Sequence, residues 1–300
     1  MVSGGLQWRA ALGMEAADRL QTFTPLSHIL GAANVAAGIA SGAAHRLFQR
    51  FHVDAVVESL ERDRISIGIA VAPVALALAG QGCNVVVNGS SDEGACEAVA
   101  EEARSHGVGA QVTMGDVGQA DDVRRIGEMI FQEFDGVDIL VNNAAVRPEK
   151  PFLEMTATEW HSVLDVDLHA AFYTCQTFLP CMIENGWGRV INITGMNAIH
   201  GYQGRAPVSA AKHGLWGLTK ALAKEFGAGG ITVNAISPGP IRSEHTDPEM
   251  TRHIEQQVTR IPVGHLGEPE HIASLCGYLA SDDGGFVSGQ MIGCNGAAET

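Results

Sequence analysis

From about residue 84 the chain alternates short, unbroken apolar runs with longer stretches whose apolar side chains recur at helical spacing. Val85-Val86-Val87, Gln111-Val112-Thr113, Ile139-Leu140-Val141, Val190-Ile191-Asn192-Ile193 and Ile231-Thr232-Val233 read as central strands. A strand covered on both faces has no polar side with which to alternate. Val85–Val87 runs into the turn-forming Asn88-Gly89-Ser90-Ser91, and Gly94 to His106 then carries Ala and Val at helical spacing with Glu and Arg between. Ala157 to Asn185 predicts a long helix with Val163, Val166, Leu168, Ala171, Phe172 and Phe178 among its apolar positions. Pro207 to Phe226 predicts a second, with Ala210, Leu215, Leu218, Ala221 and Leu222. This alternation builds an α/β domain, a parallel sheet covered by helices on both faces.

The first 64 residues break the pattern. Residues 31–44, G-A-A-N-V-A-A-G-I-A-S-G-A-A, are rich in small side chains with no clear strand before them. Two readings stay open: an appended segment of helical character, or a start or reading frame that is not the native one. The expected division is therefore an extension over 1–64 and an α/β domain over 65–300.

Composition narrows the function. Against 19 basic residues stand 34 acidic ones, a net charge of −15, which disfavours nucleic-acid backbones and anionic membrane surfaces as partners. The longest uncharged stretch, Ile65 to Asn88, contains Gly68 and Pro73, and its apolar part is too short for a membrane span. The opening M-V-S-G-G-L-Q-W-R-A-A has no basic head followed by an apolar run, so no secretory signal is expected. Six scattered cysteines without a C-x-x-C pair suggest reduced thiols and a cytoplasmic location. His161, His169 and His213 form no metal-ligand spacing, and no metal site is expected.

Specific text begins near residue 138. Asp138-Ile139-Leu140-Val141 followed by Asn142-Asn143-Ala144-Ala145, then Gly201-x-x-Gly204, Lys212, Pro238-Gly239-Pro240-Ile241-Arg242-Ser243 and Gly289-Gln290, resemble the short-chain dehydrogenase/reductase family in order and spacing. The flavour is that of its 3-oxoacyl-carrier-protein-reductase-like and sugar-alcohol-dehydrogenase-like members, and residues 83–296 can be followed in register. The resemblance implies a Rossmann-like doubly wound parallel sheet of about seven strands in three α/β/α layers. It also implies a nicotinamide dinucleotide at the carboxyl ends of the strands, a small carbonyl or alcohol substrate, and a homo-oligomer, a tetramer or dimer. By the same resemblance Asp116 and Val117 receive the adenine, and Asn142 and Ala144 form a turn that lets backbone approach the adenine ribose. Pro238, Gly239, Ile241 and Ser243 hold the nicotinamide carboxamide, and Lys212 bonds the nicotinamide ribose while lowering the pKa of a neighbouring phenol.

The chain then departs from the pattern. The phenol belongs four residues before the lysine, and Val208 stands there; the serine belongs 13 residues before the phenol, and Gly195 stands there beside Thr194. The family's helix asparagine falls at Asp167, placed to pair with Lys212. Valine carries no proton, so the usual acid is missing. Of the group only Lys212 remains, with Asp167 a candidate catalytic partner. His200 and Tyr202, on the loop after the fifth strand, are the alternative proton sources, and Ser209 points about 100° away from the phenol's direction.

Members also carry T-G-x-x-x-G-x-G between the first strand and helix, where this chain has Ile65-Ser66-Ile67-Gly68-Ile69-Ala70-Val71-Ala72-Pro73. Gly68 can serve only with one residue inserted downstream, and Ile69 and Val71 would crowd a pyrophosphate. Pro73 is comfortable in a first helical turn, so a helix over about 73–80 is expected. At the tip of the second strand Asn88, with Ser90 and Ser91, presents no carboxylate against a 2′-phosphate, a slight lean to NADP over NAD that Asp92 and Glu93 weaken. The opposing expectation is a scaffold without redox chemistry: a non-catalytic partner subunit, or a pocket reused for lyase or hydrolase chemistry.

Overall fold

Residue parity along the strands sorts the side chains of the computed structural model into two cores. It describes residues 72–242 and 258–298, together with the short strands Arg19–Thr22, Ala44–Leu47 and Ser66–Gly68. Seven strands form one sheet: β1 Ser66–Gly68, β2 Asn84–Gly89, β3 Ala110–Met114, β4 Ile139–Asn142, β5 Gly188–Ile193, β6 Ile231–Pro238 and β7 Met291–Cys294. All are parallel, in the order β3-β2-β1-β4-β5-β6-β7.

The helices are α1 Ala72–Ala79, α2 Glu93–Ser105, α3 Ala120–Glu133, α4 Ala157–Leu164, α5 Ala170–Asn185, α6 Ala206–Phe226 and α7 Pro269–Ala280. On one face Val85, Val87, Ile139, Val141, Ile191 and Ile193 pack with Leu78 of α1, Cys96 of α2 and Cys276 of α7. On the other, Val86, Leu140, Val190 and Val233 pack with Ile126 and Ile130 of α3 and with Phe178 and Met182 of α5. Successive residues of a strand point to opposite faces, so each apolar run supplies both cores at once. The strand order reverses between β1 and β4, which puts the crevice for a ligand at the carboxyl ends of the strands there.

The expected helix Ala157–Asn185 is present but not uniform. Its middle, Asp165–His169, is a π-turn in which the Ala170 amide donates to the Asp165 carbonyl five residues back. Such wide turns recur at functional sites. A capping box starts α4: the Thr156 hydroxyl accepts from the Glu159 amide, and the Glu159 carboxylate accepts from the Thr156 amide at 2.7 Å.

The chain divides into two units, Met1–Ala55 and Val56–Thr300. Within the first, Arg19–Thr22 and Ala44–Leu47 pair in parallel as a two-stranded sheet. Of the small-residue stretch 31–44, for which a helical segment was one of two readings, Ala44 opens the second strand and residues 31–43 lie outside the described residues. Among the described residues no helix is long and apolar enough to cross a membrane.

Candidate active site

Helix α6 begins with a proline in its first turn and turns Pro207, Val208, Ala211, Lys212, Leu215 and Thr219 inward. That spacing is one face of a helix, so Val208 and Lys212 share the core-facing side. Val208 is wholly buried, and the slot where the family's phenol belongs is packed core. Lys212 is 2% exposed; its Nζ donates to the Ile193 carbonyl at 3.1 Å and lies 3.6 Å from Asp167 Oδ2. The predicted Asp167–Lys212 ion pair is therefore present.

Asp167, on the π-turn, accepts from the Val146 amide through Oδ1 at 2.7 Å, while Oδ2 is buried with no hydrogen bond. Burial raises the Asp167 carboxyl above its ordinary range, against the pull of Lys212 and of Arg147. Burial likewise lowers the Lys212 ammonium, Asp167 opposing and Arg147 adding to the shift. Desolvation thus works against the attraction in both partners. Arg147 is a contributor that sequence reading missed; its signal was its position directly after Val146.

Gly195, at the serine position, has φ of +101°. L-residues rarely adopt that region, so a serine placed here on this backbone would carry strain. The adjacent Thr194 hydroxyl is committed to the Ile236 carbonyl at 2.9 Å. Tyr202 is exposed, with Arg205 stacked on its ring at 5.0 Å, and His200 is exposed too. The Ser209 hydroxyl accepts from the Tyr202 amide. Beside them the loop after β4 is fastened to the loop before α6: the Lys150 amide donates to the Gly204 carbonyl, and Arg205 pairs with Glu149 at 3.1 Å.

Asn142 belongs to a buried polar chain. Its Nδ2 donates to Asn192 Oδ1 at 2.9 Å, its Oδ1 accepts from Thr174 at 2.7 Å, and Asn192 Nδ2 donates to Thr219 at 2.9 Å. The Asn142 side chain is thus committed to joining β4, β5, α5 and α6, leaving only its backbone for a ribose. The clue in the sequence was Asn192, a lone amide inside an otherwise apolar strand, which needs a partner when buried.

At the crevice, a cleft of about 490 Å³ is lined by Asn88 of β2 and Ser90 just after it, Asp116 and Val117 after β3, Ala144 after β4 and Val166 of the π-turn, among others. Asp116 Oδ1 accepts from the Gly118 amide at 2.9 Å, and Asn88 Nδ2 from β2 donates to the Thr113 carbonyl at 3.0 Å. On the far side Pro238 closes β6, and the Gly239 amide donates to the Cys294 carbonyl at 3.0 Å. A Cβ on Gly239 would lie 2.5 Å from Asn295 Cα, so packing requires this glycine. Ile241 bridges to Gly267. Ser243 lies outside the described residues. Among the described residues no group of three or more His, Cys, Asp or Glu is placed to hold a metal.

A nicotinamide dinucleotide meets this surface unevenly. Its adenosine end fits the cleft. At its pyrophosphate end Gly68 ends β1 and α1 opens at Ala72-Pro73, with Ile69, Ala70 and Val71 between them in the sequence. Phosphates bind where free helix N–H groups and glycines allow close backbone approach. Pro73 removes one such donor, and the connection has no glycine.

The enoyl-(acyl carrier protein) reductase family model matches residues 64–296. The 3-oxoacyl-[acyl-carrier-protein] reductase FabG of Staphylococcus aureus strain N315 is 36% identical over 223 residues, 74% of this chain and 91% of that protein. The FabG of Aquifex aeolicus is 37% identical over 225 residues, 74% and 90% of the two chains. Nodulation protein G of Azospirillum brasilense is 37% identical over 221, covering 73% and 89%. A solved structure from Sinorhizobium meliloti 1021, assigned as a short-chain alcohol dehydrogenase, superposes with a TM-score of 0.73 at 26% identity over 78% of this chain and 96% of that one. With sheet order, lysine register and these matches in agreement, the chain belongs to the short-chain dehydrogenase/reductase family.

Proposed function

We propose that the protein is a nicotinamide-dependent oxidoreductase acting on a small carbonyl or alcohol, with an impaired proton-transfer site. The observation that carries this is the coexistence of the adenosine-sized cleft at the strand ends with Lys212 held inward beside a valine. When bound, the dinucleotide supplies hydride chemistry. Asp116, Val117 and Ala144 offer its adenosine a wall, while Gly239 and Ile241 offer backbone groups at the other end. NADP is slightly favoured over NAD, because Asn88 and Ser90 place no carboxylate at the tip of β2. Lys212, bonded to Ile193 and paired with Asp167, has no phenol to acidify, and Val208 has no proton to give. Reduction through this site is therefore slow.

Titration of NADPH and NADH, followed by nicotinamide fluorescence, tests the reading together with a ketone panel. Saturable binding with weak turnover is expected, and no saturable binding at millimolar cofactor would overturn it. The second reading, a non-redox or non-catalytic scaffold, is favoured by the complete burial of Val208 and the left-handed Gly195. Measurable ketone reduction that Lys212→Met abolishes would end that reading. Self-association belongs to the same proposal: Phe172 and Ile183 of α5 are each 45% exposed, and light scattering of the purified chain should show a dimer or tetramer.

A further inference from the structure

We infer that a second cavity, beside the ends of β6 and β7, binds a small apolar molecule that ends in a primary carboxamide. The cavity measures about 250 Å³ and is walled by Pro240, Ile241, Ile261 and Val263, with the imidazoles of His265 and His271 in its lining. It shares no lining residue with the 490 Å³ cleft. The Ile241 side chain packs over Gly267 on this side. An apolar cavity of about 150 Å³ already holds benzene, so a six-membered ring carrying one polar group has room here.

The two imidazoles offer opposite halves of a hydrogen-bonded pair, and their backbone partners decide which offers which. His265 Nδ1 lies 2.7 Å from the Leu266 carbonyl, which can only accept. The ring hydrogen therefore sits on Nδ1, and the neutral ring keeps a lone pair at Nε2. His271 Nδ1 accepts from the Glu268 amide at 2.9 Å, so its hydrogen sits on Nε2. Neither Nε2 has a hydrogen bond to a described residue. With ring centres 6.5 Å apart, the pair suits a group whose nitrogen and oxygen share one carbon. The amide nitrogen donates to His265, and the amide oxygen accepts from His271. A carboxylate brings acceptors only and meets the His265 lone pair, in a chain whose net charge is −15. A metal ion needs a lone pair from each ring, and His271 spends its own on the Glu268 amide. This assignment stands independently of the oxidoreductase reading, since it requires neither a bound dinucleotide nor turnover.

Saturation-transfer NMR titration of the full chain with cyclohexanecarboxamide, cyclohexanecarboxylate and methyl cyclohexanecarboxylate tests it. Saturable binding of the amide is expected, about tenfold tighter than the acid or the ester, the worth of one hydrogen bond. His265→Leu, at an exposed position, should bring amide and ester within about twofold of each other. Val263→Trp fills the cavity from a side chain that is 57% exposed and should abolish amide binding, circular dichroism melts reporting that both variants are folded. No saturable amide binding, equal affinity for amide and ester in the native chain, or unchanged amide binding to a folded Val263→Trp protein would overturn the inference. Saturating NADPH should leave the amide's affinity unchanged. Displacement of the amide by NADPH would place it where the nicotinamide carboxamide goes, which overturns this inference and leaves the oxidoreductase reading standing.

Discussion

Replacing Lys212 by Met strips the buried pair of its cation and leaves Asp167 inside the protein. The two side chains are 3% and 0% exposed, with Nζ 3.6 Å from Oδ2. At an effective dielectric of about 20, unit charges at that distance attract by about 5 kcal/mol. Removing one partner of a buried pair costs about 3–5 kcal/mol. The lower end applies here, because burial already raises the Asp167 carboxyl and the orphan can take up a proton. Lys212→Met should therefore lose about 3 kcal/mol, a fall in melting temperature of roughly 6–12 °C for a domain of this size. Asp167→Asn should cost about 2 kcal/mol by leaving Lys212 with only the Ile193 carbonyl. In the double variant the losses should fall short of their sum by about 2 kcal/mol, the signature of residues in contact. Urea unfolding of the four proteins at neutral pH measures all three values. A Lys212→Met loss under about 1 kcal/mol, or additivity within about 0.5 kcal/mol, would show that the lysine is a free arm and that the pairing argument is mistaken.

Three further outcomes are expected. Glu159 is held down to about 2 from an ordinary 4.5, first by its hydrogen bond to Lys150 and then by those to Thr156. A lowered carboxyl contributes stability above its unfolded value that is lost as pH falls from 4.5 towards 2; thermal melts across that window should show the loss in the native chain and a flatter profile in Glu159→Gln. Gly239→Ala should destabilise the protein by about 2 kcal/mol or more by overpacking against the Asn295 backbone, read as a lower urea midpoint. Restoring the family's side chains with Val208→Tyr and Gly195→Ser should lower stability, through a ring in a filled core and a side chain at φ of +101°, by about 1–3 kcal/mol at each site; a double variant as stable as the native chain would refute both arguments.

The strands were legible because Val85–Val87, Ile139–Val141 and Val190–Ile193 are apolar at consecutive positions, a pattern that only a strand between two helix layers needs. Lys212 and the empty phenol position were legible through spacing, since a helix fixes which residues four apart share a face. Other features depend on what a residue meets in space. The pairing of Asp167 with Lys212 was legible too, but the π-turn that carries Asp167 and the Val146 amide that bonds its carboxylate were not. Asn142 was read for its turn backbone, and nothing local announced that its side-chain amide joins Asn192 and Thr174. Gly195 looked like a deleted hydroxyl, and its dihedral angle shows a left-handed turn as well. Backbone handedness and partners distant in sequence have no local periodicity, so no pattern of apolar positions can report them.

The turn at Gly195 also constrains redesign of the crevice. Any side chain introduced there must bear a left-handed backbone before it can offer a hydroxyl, so a new proton donor is introduced at less cost elsewhere along the strand ends.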